Sequence, residues 1–125
     1  MVVDDSQDDR EMTRRALAKT GRDVLIREAE RGETALRLLQ CEDPLPSLIL
    51  LDLKMPGMNG IDTLRRIRAD ERHKRIPVII ITNSTLESDR NASLHAGADD
   101  FVLKAFDLDQ YRRDIQALLD RWLTN

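Results

Sequence analysis

Five positions carry the residue types of phosphoryl chemistry: the adjacent pair Asp4-Asp5, then Asp52, Thr82 and Lys104. Singly these are weak signals, because Asp and Thr often cap helices or turns and an isolated Lys is usually solvated. Together they form a set. Clustered carboxylates repel one another and call for a cation. Oxygen-only ligands favour Mg²⁺, which keeps several waters and accepts a phosphate oxygen. A carboxylate beside such an ion can attack phosphorus and form an aspartyl phosphate. Asp52 is the expected nucleophile, since it ends the most apolar run and precedes Met55-Pro56-Gly57-Met58-Asn59-Gly60, a turn-forming loop able to wrap the site with backbone N–H groups. Asp4, Asp5 and Asp52 are the expected metal ligands. Lys104, with the metal, would neutralise the transferring phosphoryl oxygens.

These residues can act together only if the chain delivers them to one place. Short apolar runs alternate with helical patterns: Met1-Val2-Val3, Val24-Leu25-Ile26, Leu48 to Leu51, Val78 to Ile81 and Phe101-Val102-Leu103. The third and fourth are solidly apolar, as in a parallel strand covered on both faces. The pattern predicts an α/β fold with a doubly wound five-stranded parallel sheet. Ligands of such sheets collect beyond the carboxyl ends of the strands, and four of the five runs end on a member of the set. Between the runs, Met12, Ala16 and Leu17, then Ala35, Leu36 and Leu39, then Ile61, Leu64 and Ile67, and then Leu86 and Leu94 with Ala92 and Ala96 mark four helices. Leu108, Tyr111, Ile115, Leu118, Leu119, Trp122 and Leu123 mark a fifth. Ser84 with Glu87 and Asp107 with Gln110 have the spacing of capping boxes opening the last two helices.

Composition narrows the function classes. The chain has 125 residues, 41% hydrophobic and 34% charged, the size and make-up of one globular domain with no length for an output module. A net charge of −3 leaves no basic footprint for nucleic acid or an anionic membrane. The longest apolar runs are about five residues, far below the roughly 20 that span a bilayer, and no signal-peptide pattern opens the chain; the cytoplasm is the expected location. Cys41 stands alone and is expected to be a buried small hydrophobe. His73 and His95 lack a second ligand at metal spacing.

The order Asp4-Asp5, Asp52 within LLDLKMPGMNG, Thr82 and Lys104 resembles the response-regulator receiver family over nearly the whole chain. That resemblance implies the flavodoxin-like sheet order 2-1-3-4-5. It also implies Mg²⁺ on Asp4, Asp5 and Asp52, phosphate accepted on Asp52 from a sensor histidine kinase, Lys104 against the phosphoryl group, and Thr82 and Phe101 coupling phosphorylation to the fourth helix. Two positions depart from the family pattern. Ala105 stands where proline usually follows the lysine, so a trans Lys104-Ala105 peptide is expected, a cis bond there costing about 2.5 to 4 kcal/mol. Phe101 lacks the hydroxyl of the tyrosine common at the switch position. Thr82-Asn83-Ser84, Lys104-Ala105-Phe106-Asp107-Leu108 and Trp122-Leu123 look like the small regulators paired with bacterial phytochrome kinases; Trp122 is equally read as a pin for the last helix.

Rival classes fit worse. A haloacid-dehalogenase-type hydrolase needs a second Asp two residues after its nucleophile, where this chain has Lys54. A flavin carrier needs a phosphate loop after the first strand, where Asp5, Asp8 and Asp9 would repel one. A receiver that has lost phosphorylation would lack members of the five-residue set. Lys54 itself is expected to stabilise or shield the phosphorylated state, because the carboxylates and phosphoryl group outweigh Mg²⁺ and Lys104 in charge. The signal is expected to leave through the face of helix four, strand five and helix five, by altered protein contacts including a homodimer. Phe106 and Tyr111 are candidate anchors there, or fill the domain's own core.

Overall fold

The computed structural model describes residues 1–41, 44–104 and 107–123. Five strands alternate with five helices: β1 Val2–Val3, α1 Gln7–Ala18, β2 Glu28–Ala29, α2 Gly32–Cys41, β3 Ile49–Leu51, α3 Gly60–Ala69, β4 Val78–Thr82, α4 Glu87–His95, β5 Asp100–Leu103 and α5 Leu108–Trp122. The strands form one sheet in the order β2-β1-β3-β4-β5, every pair parallel. This is the expected doubly wound sheet.

Strand side chains alternate between two cores because successive Cβ atoms point to opposite faces. Val3, Ile49, Leu51, Val78 and Ile80 pack with Ala35 and Leu39 of α2 and Leu64 and Ile67 of α3. Val2, Leu50, Ile79 and Ile81 pack with Ala16 and Leu17 of α1 and Tyr111, Ile115, Leu118 and Leu119 of α5. Covering both faces is what makes β3 and β4 read as unbroken apolar runs.

Ahead of α5, four expectations shift. The second strand is Glu28–Ala29 rather than Val24 to Ile26, because the register with Val2 and Val3 falls there. Val24 and Ile26 lie ahead of it, packed on the α1/α5 core, while Leu25 is 80% exposed. Ser84 does not cap α4. Its N-cap is Leu86, without a side-chain bond, and the Ser84 hydroxyl instead donates to Asp89 at 2.5 Å. The inward residue of α4 is Ser93, whereas Leu86 and Leu94, eight residues apart on one face, are exposed. Cys41 is exposed, because it lies two residues past the buried Leu39 and so on the far side of α2.

At α5, Asp107 is the expected N-cap and accepts from the Asp109 N–H at 2.9 Å, but Gln110 donates to Asp114 instead of closing the box. Tyr111 is fully buried and therefore core, its hydroxyl 2.8 Å from that of Thr13 across the α1/α5 seam. Trp122 is partly buried against the same core. Phe106 and the Lys104-Ala105 peptide lie outside the described residues. No described helix is long and apolar enough to cross a membrane.

Candidate phosphoacceptor site

The parallel sheet aligns its carboxyl ends on one rim. The Asp4 N–H donates to Ala29 O at 3.0 Å and the Asp52 N–H to Val3 O at 2.9 Å, so β1 and β3 release their carboxylates side by side. Carboxylate oxygens of Asp4, Asp5 and Asp52 lie within 4.8 Å of one another. Asp4 and Asp52 are buried, 4% and 6% exposed, while Asp5 opens to solvent. At the other end of the rim, the Lys104 N–H donates to Thr82 O at 2.7 Å, which fixes the start of the Lys104 side chain. Its ammonium lies 2.8 Å from Asp4 Oδ2, 2.8 Å from Asp9 Oδ2 and 3.6 Å from Asp52 Oδ1.

The loop after Asp52 needs its glycines. Gly57 takes φ 73°, a left-handed turn that side chains resist. At Gly60 the chain returns onto β3 so closely that a Cβ would stand 2.3 Å from Asp52 O, while the Gly60 N–H donates to Leu53 O. Asn59 then caps α3 by accepting from the Asp62 N–H. The Leu53 backbone N–H, next to Asp52 and ahead of that loop, favours the ionised Asp52 carboxylate, whereas the Gly60 N–H is spent on Leu53 O.

Electrostatics single out Asp52. Burial pushes its carboxyl up from 3.8 to about 6; Lys104 opposes the rise, and Asp4 and Asp5 reinforce it. Burial disfavours the Lys104 ammonium, yet its hydrogen bonds to Asp4 and Asp9 and the charge of Asp52 outweigh that and hold it above the usual lysine range. The result is a close-packed anionic pocket in which Asp4, Asp9 and Asp52 share the Lys104 ammonium. Its donor set is all oxygen and partly open to water, which suits Mg²⁺ far better than a thiolate- or imidazole-seeking metal.

Of the residues singled out from sequence, Asp4, Asp5, Asp52 and Lys104 converge. Thr82 ends β4 on the same rim, wholly buried, its hydroxyl accepting from the Ser84 N–H at 3.2 Å. Phe101 lies on β5, half-buried, with the Arg90 guanidinium of α4 5.8 Å from its ring centroid. Lys54 is engaged elsewhere, 3.3 Å from Asp89 of α4. His73 is buried against Leu39 O, and His95 ends α4. Asp9 was not expected in the site. Its place in the first turn of α1 reads as ordinary compensation of the helix dipole, and only the fold brings it to Lys104.

Comparison with known proteins identifies a family and a shared fold. Residues 1–116 match the family described as the response regulator receiver domain. The chain is similar to the chemotaxis protein CheY1 of Helicobacter pylori, at 35% identity over 95% of this chain and 94% of that one. It is 36% identical to the phosphate regulon transcriptional regulatory protein PhoB of Pseudomonas aeruginosa over 97% of this chain, but spans only 51% of that relative's length. Among solved structures, the phosphorylated cyanobacterial phytochrome response regulator RcpA superposes with a TM-score of 0.90 at 27% identity, covering 98% of this chain and 91% of that one. The Mn²⁺-bound form of response regulator Rcp1 gives 0.87 at 29%, covering 99% and 93%.

Proposed function

Because the chain belongs to the response-regulator receiver family, a family of signalling switches, we propose that it works as a phosphorelay switch with Asp52 as phosphoacceptor. The observation that carries this reading is a buried carboxylate 3.6 Å from a lysine ammonium, within a group of three carboxylates suited to one divalent cation. An Asp52 oxygen attacks phosphorus, the bond from phosphorus to the donor imidazole nitrogen breaks, and its electron pair returns to the imidazole. Lys104 meets the charge on the phosphoryl oxygens. Asp4, Asp5 and Asp52 would hold Mg²⁺, which supplies further charge neutralisation when bound. Thr82 and Phe101 pass the change to α4. Support for that coupling comes from the Thr82 hydroxyl bonded just ahead of α4 and from Arg90 of α4 lying over Phe101.

The test is incubation with acetyl phosphate and Mg²⁺, read by intact-mass spectrometry. Wild type gains one phosphoryl group and Asp52→Asn gains none; an unmodified wild type refutes the reading. The same assay examines Lys54 as a stabiliser of the phosphorylated state, in which case Lys54→Ala shortens the half-life of the phosphoryl group. An unchanged half-life leaves Lys54 as a tie to α4 alone.

The donor we propose is a sensor histidine kinase of the bacteriophytochrome type, in the cytoplasm, on the likeness to RcpA. Faster phosphotransfer from such a kinase than from an unrelated one would check it. The output we propose is altered protein contact, including a homodimer, through the α4–β5–α5 face. Leu86, Leu103 and Leu108 are 60%, 44% and 58% exposed there. A groove lined by residues of α4, β5 and α5 includes both Arg90 and Asp114, charges that a two-fold copy could satisfy reciprocally.

A further inference from the structure

Lys104 is shared among three carboxylates, and they are not equivalent. Asp4 and Asp52 both belong to the group that suits a divalent cation; Asp9 lies outside it. A cation held by that group would draw on the oxygens of Asp4 and Asp52 and leave Asp9 as the partner of Lys104 free of other duty. The contact is well made: 2.8 Å, with the Lys104 side chain only 8% exposed and that of Asp9 32%. Asp9 is also held in place, because Ser6 caps α1 by accepting from the Asp9 N–H. From the geometry we propose that Asp9 is a positioning residue that holds Lys104 back from the phosphoryl group, restraining phosphorylation of Asp52 until the ammonium changes partner. This rests on the function proposed above.

Charge favours the assignment. Three carboxylates, Asp4, Asp9 and Asp52, lie against the Lys104 ammonium, so an incoming phosphoryl group meets a cation already committed. Neutralising Asp9 both frees that ammonium and removes one repelling charge from the pocket. The second effect alone would also follow from removing a neighbouring carboxylate that does not touch Lys104. Asp8, exposed in the same first turn of α1, is that control.

The experiment compares wild type, Asp9→Asn, Asp9→Glu and Asp8→Asn. Asp9→Asn keeps the side-chain shape and the backbone bond to Ser6. The rate of phosphorylation by acetyl phosphate with Mg²⁺ is expected to rise about three- to tenfold in Asp9→Asn, less than about twofold in Asp8→Asn, and to stay near wild type in Asp9→Glu, which retains the charge. In metal-free protein, exchange of the Lys104 ammonium protons with water, followed by lysine side-chain NMR, should quicken in Asp9→Asn and not in Asp8→Asn. A rate in Asp9→Asn that is lower than wild type, or equal to that of Asp8→Asn, overturns the restraint while leaving the acceptor role of Asp52 intact. Unchanged ammonium exchange overturns it too, whatever the kinetics. A wild type that takes up no phosphoryl group refutes the acceptor reading, and the restraint falls with it.

Discussion

Helices α4 and α5 follow neighbouring strands, yet the fold fastens them in different ways. Helix α5 sends Tyr111, Ile115, Leu118 and Leu119 into the core and ties Tyr111 to Thr13 of α1 by a buried hydroxyl pair. Helix α4 buries only Ser93, shows Leu86 and Leu94 to solvent, and is held at Asp89 by Lys54 from the loop after Asp52 and by Ser84 from the segment after β4. Buried apolar area holds an element in place, whereas exposed ion pairs contribute little. An element that must answer a chemical change at the rim is best drawn from the weakly fastened kind. On this view α5 is part of the frame and α4 the part able to respond.

The largest expected effect sharpens the contrast at α5. Tyr111→Ala removes a fully buried ring and strands the Thr13 hydroxyl, and should cost about 3 to 5 kcal/mol in urea unfolding. A loss under about 1 kcal/mol would mean that α5 is no better anchored than α4.

The rim between the helices comes next, and there a substitution stabilises. Because the Asp52 carboxyl is pushed up from 3.8 to about 6, the folded protein holds its proton more tightly than the unfolded chain does. The resulting penalty is absent below pH 3.8, grows as pH rises towards 6 and is complete above it, reaching about 2 to 3 kcal/mol. Metal-free Asp52→Asn should therefore be more stable than wild type by up to that amount at pH 8, and the gain should vanish towards pH 4. Added Mg²⁺ should narrow the gap by stabilising wild type. A gain independent of pH would show that the ionised carboxylate is not its source.

The smallest effect belongs to α4. Leu86→Ala should alter stability by no more than about 0.5 kcal/mol, since the side chain is 60% exposed. It should weaken any phosphorylation-dependent dimer seen by sedimentation. A monomer in every sample would remove self-association and leave the face to other partners.

The division between what was legible in the sequence and what was not follows range of interaction. Strand periodicity, the apolar runs of β3 and β4 and the turn chemistry from Met55 to Gly60 are local, so they were readable, and with them the rim that gathers Asp4, Asp5, Asp52, Thr82 and Lys104. The place of β2 was not. Val24, Leu25 and Ile26 have the stronger strand composition, but an edge strand of two residues is positioned by its register with β1. Helix α4 misled for a related reason: its leucines share a face, and only packing decides whether that face meets the sheet or the solvent. Capping at Ser84 lost to a short side-chain bond to Asp89, a competing partner that spacing alone does not rank.

The site divides the same way. Residue type and position on the strand ends sufficed to predict that Asp4, Asp5, Asp52 and Lys104 converge, because a parallel sheet has one carboxyl edge and all its strands must end there. The state of those groups needed the third dimension. Burial raises Asp52, Asp9 reaches Lys104 across 95 residues of chain, and Lys54 pairs with Asp89 of α4. Electrostatic interaction depends on distance and on how much water is excluded, and neither is set until the chain has packed.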